Sequence, residues 1–127
     1  MQTTGISLLL DLHDCRSPAL NDEGVLEQLF AAALQFAGFE AVDHLTHCFP
    51  NQGTTFIYVL RQSHAMLHTW PESGFVSVDV YSCGEPQVVR PALESIRGYL
   101  TQKLMARSIH ARLIERGLDE NVAKDVR

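Results

Sequence analysis

The chain has 127 residues, 46% of them apolar and 20% charged, with a formal net charge of -5. That length fits one domain around a single core, and so large an apolar fraction excludes intrinsic disorder. The acidic balance lacks the basic footprint that nucleic acid or an anionic membrane surface requires, so neither is expected as a partner.

The N-terminus reaches only a short apolar run, Ile6 to Leu12, with no basic residue ahead of it. This fits neither a secretory leader nor a membrane span. Leu8 to Leu12 predicts a buried strand, and Asp14 to Pro18 the turn after it. A first helix follows, with Asn21 as its cap and Asp22 and Glu23 at its positive end. Leu26, Leu29, Phe30, Ala33, Leu34 and Ala37 recur at helical spacing before Gly38 closes it. Only one face is apolar, so the helix must lie on something.

Extended segments are predicted at about 40–49, 54–61, 64–69 and 75–83, separated by Pro50-Asn51-Gln52-Gly53 and Pro71-Glu72-Ser73-Gly74. In the last of them Val76, Val78 and Val80 point one way, and Phe75, Ser77, Asp79, Tyr81 and Cys83 the other. Gly84-Glu85-Pro86 ends that strand. Val89, Leu93, Ile96 and Leu100 mark a second helix, with Pro91 expected in or near its first turn. Leu104 to Ile114 reads as a final strand, and the polar tail after Gly117 is expected to fray. There is no linker or repeat, so residues 1–127 read as a single domain. The expected architecture is α+β: a two-layer α/β sandwich, an antiparallel sheet with two helices on one face. The other sheet face is left for a partner or ligand.

Cys15, Cys48 and Cys83 are an odd number at long spacings with no C-x-x-C pair, so a reducing cytoplasm is the expected compartment. The chemistry concentrates between Gln62 and Gly84, where a hydroxyl, two imidazoles, a carboxylate and a thiol fall into two neighbouring strands. Alternation places His64, Met66 and His68 on one face; if Cys83 shares it, an acid, a base and a nucleophile converge. On the residues alone three readings stay open. A serine or cysteine hydrolase lacks its G-x-S-x-G elbow. A metal site using His44, His47 and Cys48, or His64 and His68, matches no usual ligand spacing. The third makes these residues satisfied members of a structural sheet.

Their order together resembles the small prokaryotic S-adenosylmethionine decarboxylase proenzymes, which are pyruvoyl-dependent. The resemblance runs from about Gly5 to Leu104 and rests on Ser63-His64, His68-Thr69-Trp70-Pro71-Glu72, Gly74, Asp79 and Cys83-Gly84. The upstream Leu-Asp-Leu with Cys15, and Phe49, Pro50 and Gly53, also look like the family's.

The resemblance implies that the chain cuts itself before Ser63, giving a β chain of residues 1–62 and an α chain of residues 63–127. Ser63 Oγ would attack the carbonyl of Gln62, with Thr55 at the assisting-hydroxyl position and His68 matching the base. The product is a pyruvoyl group that serves as an electron sink when carbon dioxide leaves, with no external cofactor and no metal. Cys83 matches the proton donor, and Glu72 the carboxylate for the ribose hydroxyls. Trp70 and Phe49 are candidates to stack on adenine or shield the sulfonium, or are ordinary core aromatics. In the family two protomers pair and share their sites, which implies a homodimer of αβ units here. The pattern departs at Gln62, usually glutamate, at Thr55, usually serine, and at Ser7, commonly histidine. Two rivals follow: a same-fold decarboxylase of arginine or ornithine, and a non-cleaving binding or regulatory paralogue.

Overall fold

The computed structural model describes residues 3–118. The chain begins with β1 (Gly5–Cys15), longer at both ends than its apolar run. A short turn (Pro18–Asn21) leads into α1 (Glu23–Phe36), and then come β2 (Ala41–Cys48), β3 (Thr54–Leu60), β4 (Ser63–Trp70) and β5 (Phe75–Cys83). Helix α2 (Pro86–Lys103) and β6 (Ala106–Arg116) complete it. The strands form one six-stranded sheet in the order β2-β3-β4-β5-β1-β6. Every neighbouring pair is antiparallel. Two helices on an antiparallel sheet is the α+β sandwich expected.

Strand alternation sorts the side chains into two layers. Ile6, Leu8, Leu10 and Leu12 of β1, Phe56, Tyr58 and Leu60 of β3, Ala65 and Leu67 of β4, and Val76, Val78 and Val80 of β5 are buried. Leu26, Phe30, Ala33 and Leu34 of α1 and Val89, Leu93, Ile96 and Leu100 of α2 cover them. The alternate residues form a second, uncovered face, called the open face below; Leu9 there is 39% exposed.

Three sequence expectations change. Asn21 does not cap α1; it ends the preceding turn, and Asp22 Oδ1 accepts from Val25 N at 3.1 Å. Asn21 is held as the last residue of that turn, which Ser17 caps at Ala19 N, so the helix is capped one residue later. Pro91 lies inside α2 rather than in its first turn, because the helix already starts at Pro86. Pro91 is exposed, so water can satisfy the Gln87 carbonyl that its missing N–H leaves free. The last strand starts at Ala106 rather than Leu104, which is the buried C-cap of α2. At Gly38, φ is +94°, and the bonds Gly38 N→Gln35 O and Phe39 N→Leu34 O close α1 as a Schellman motif. The predicted fraying beyond Gly117 falls mostly outside the described residues.

Candidate active site

The register of the central strands decides where each predicted side chain lies. Ser63 pairs with Leu60 on β3 and Ser82 on β5, just after the two-residue turn Arg61-Gln62. It therefore sits at one end of β4, in the row of the helix-covered face. Cys83 follows Ser82 at the same end but on the open face. Gln62, Ser63, Ser82 and Cys83 line a cavity of about 270 Å³ together with Phe39 and Glu40. A second cavity, of about 720 Å³, opens beside it between the end of α1 and the start of α2.

His68 lies at the other end of β4. Its row is His47, Thr55, His68, Ser77 and Asp11 across β2, β3, β4, β5 and β1. Thr55 Oγ1 and His68 Nδ1 are hydrogen-bonded across the strand pair. Burial pushes the His68 pKa below its ordinary 6.5, while the charge of Glu72 pushes back. Around the imidazole the ring centroids of Trp70 and Phe49 stand at 4.0 and 5.2 Å. The stack continues to His47 on Phe49 at 4.7 Å, Phe75 on Trp70 at 4.9 Å and His13 on Phe75 at 4.8 Å. Six rings thus cross the open face from the β2 side to β1. Glu72 follows on the short turn Pro71–Ser73 that ends β4.

His64, Met66 and His68 do share the open face with Cys83, but the three groups do not converge within one chain. Five positions of strand at about 3.3 Å each hold Ser63 and His68 roughly 16 Å apart. The candidate residues fall into two groups: Ser63, Gln62 and Cys83 at one end of β4, and Thr55, His68, Phe49, Trp70 and Glu72 at the other.

The histidine-cysteine set weighed for a metal is also dispersed. His44 stacks on Tyr58 and lies 3.9 Å from Glu27, Cys48 bonds to Glu23, and His47 sits on Phe49. Among the described residues no three such side chains cluster. Cys15 is buried, with its pKa raised to about 11 by that burial and then by Asp14. No described helix is long and apolar enough to cross a membrane.

The family described as S-adenosylmethionine decarboxylase matches this chain over residues 6–117. The chain belongs to that family. The S-adenosylmethionine decarboxylase proenzyme of Moorella thermoacetica is 38% identical over 120 residues, covering 94% of this chain and 93% of its own. That of Acetivibrio thermocellus is 32% identical over 124 residues, covering 98% and 97%. The crystal structure of the adenosylmethionine decarboxylase from Aquifex aeolicus superposes with a TM-score of 0.78 at 28% identity, over 94% and 96% of the two chains.

Against that family background, some neighbours of the site were not visible in the sequence. The Tyr81 hydroxyl is 3.6 Å from Cys83 Sγ, and the Arg116 guanidinium stands over the Tyr81 ring at 5.6 Å. Ser7 Oγ accepts a hydrogen bond from Arg116 at 3.1 Å. Tyr81 was legible as a residue on the Cys83 face; Arg116 gave no signal, because its approach depends on β6 pairing with β1.

Proposed function

We propose that the chain cuts itself between Gln62 and Ser63, that Ser63 becomes a pyruvoyl group, and that each complete site is built by two copies. The enzyme is a decarboxylase of S-adenosylmethionine, and its product is decarboxylated S-adenosylmethionine for spermidine synthesis. The observation that carries the two-copy reading is the separation of these two groups along β4, together with an open sheet face to which Cys83 of one group and His68 of the other belong. A two-fold axis running across the strands brings the Ser63 end of one sheet over the His68 end of the other. In this reading a homodimer completes each site.

In this reading Ser63 Oγ attacks the Gln62 carbonyl, and the peptide becomes an ester through a tetrahedral oxyanion. The partner's His68 then takes the Ser63 α-proton. Its lowered pKa favours the neutral imidazole at pH 7, and in the tautomer whose Nδ1–H donates to Thr55 Oγ1 the Nε2 lone pair is free to accept. Elimination frees Gln62 with a new carboxylate, and one water enters as ammonia leaves. The residues present fit the resulting group: Ser63 supplies its atoms, and the cavity it shares with Gln62 and Cys83 gives it space.

The pyruvoyl ketone supplies the electron sink for loss of carbon dioxide. Cys83, on the same chain as Ser63, delivers a proton to the substrate α-carbon, a task typically worth about 10²- to 10⁴-fold. The partner's Glu72 holds the ribose hydroxyls. Its Trp70 and Phe49 offer ring faces to the adenine or sulfonium; a cation over such a face gains about 0.5 to 2 kcal/mol.

Carbon dioxide release should be measured side by side from S-adenosylmethionine, arginine and ornithine. Release from S-adenosylmethionine is expected, and release confined to either amino acid would overturn the substrate assignment.

A further inference from the structure

We propose that Tyr81 is a positioning residue for the Cys83 thiol, its hydroxyl serving as the sulfur's hydrogen-bond partner and its ring fixed by Arg116. The inference rests on the proton-donor role of Cys83 but is tested separately from it. Tyr81 and Cys83 are alternate residues of β5, so both side chains leave the sheet on the open face, and the hydroxyl comes within 3.6 Å of Sγ. Gly5 pairs with Cys83 on one side and with Arg116 on the other. A Cβ there would stand 3.0 Å from the Tyr81 hydroxyl and 2.4 Å from Ser82 O, so glycine keeps the space that the phenol tip occupies. The ring is held from two sides. His64, its cross-strand neighbour on β4, lies 5.6 Å away, and the Arg116 guanidinium lies over the face at 5.6 Å. Arg116 is steadied by its bond to Ser7, and its neighbour Glu115 is tied to Arg90 of α2 at 3.3 Å.

The arrangement serves a thiol that must give up its proton. Before transfer the S–H is aimed by the hydroxyl; as S–H breaks and C–H forms on the substrate, the Tyr81 O–H turns to donate to the thiolate. Bonds to an ionised acceptor are roughly twice as strong as neutral ones, so the hydroxyl favours the state after transfer. The thiolate is then reprotonated from water. The Tyr81 pKa is raised, first by this hydrogen bond and next by desolvation, which keeps the phenol protonated and able to donate.

The test begins with the uncleaved Ser63→Ala chain, in which alkylation of each cysteine by iodoacetamide at pH 8 is followed by peptide mass. The thiolate is the reacting form. Adding Tyr81→Phe, which keeps the ring, should slow alkylation of Cys83 about tenfold, the factor that a 1.4 kcal/mol loss gives, and leave Cys48 unchanged. Continued protection of the buried Cys15 reports that the fold is intact. Arg116→Met should slow Cys83 about threefold, with Arg116→Lys restoring part of the loss. In the cleaving background Tyr81→Phe should still yield fragments split at Ser63, with kcat about tenfold lower and KM within about twofold. An unchanged Cys83 alkylation rate in an intact Tyr81→Phe chain, or a raised KM with normal kcat, overturns the proposal. If the parent chain never cleaves, the alkylation result still decides this contact while the decarboxylase reading fails alone.

Discussion

His68 carries opposed influences, and their balance fixes a pH dependence. Burial favours the neutral imidazole and dominates; Glu72 favours the cation. With the folded pKa lowered, the unfolded chain binds the proton more readily between the two values. The stability contribution of neutral His68 is therefore fully present above pH 6.5 and is lost as pH falls through the lower folded value. The same sign applies to processing under the proposal that His68 is its base, since a base must be neutral to take a proton. The rate at which fragments appear should fall toward acid pH, with its half-maximal point below 6.5. A half-maximal rate reached above pH 6.5 would contradict the burial of this imidazole.

At the scale of elements, most of the molecule could be read before its structure was known. Period-two valines located β5, and the apolar stripes of α1 and α2 predicted one covered sheet face, because each stripe needs the same partner. Phe30 shows that dependence directly: it is fully buried and meets Tyr58 of β3 edge-on at 5.5 Å. Phe30→Ala should cost about 3 to 5 kcal/mol in denaturant unfolding, and a cost below about 1 kcal/mol would contradict the packing of α1 on the sheet. What could not be read was register. Alternation assigns faces without saying how far along a strand a residue sits relative to its neighbours. The candidate residues were therefore placed on their faces yet expected to converge, while the pairings Ser63 with Ser82 and Thr55 with His68 keep them at opposite ends. The N-cap failed for a local reason, since Asn21 and Asp22 are both good caps and the Ser17 turn selects between them.

For the whole molecule, the proposal that two copies build each site can be tested by mixing defects. Ser63→Ala and His68→Ala chains should each stay uncut alone. Co-expressed, they can form a dimer in which one site has both groups intact, so a fraction of the His68→Ala chains should be cut while no Ser63→Ala chain is. Failure of the mixture to cut at all, with dimers present, would place the whole site in one chain. The claim beneath all of these is the self-cut itself, and the intact mass of the purified protein under denaturing conditions tests it most directly. Two fragments are expected, residues 1–62 with a free carboxylate and residues 63–127 with a pyruvoyl-blocked N-terminus. A single chain of the full 127 residues that never divides would contradict the account.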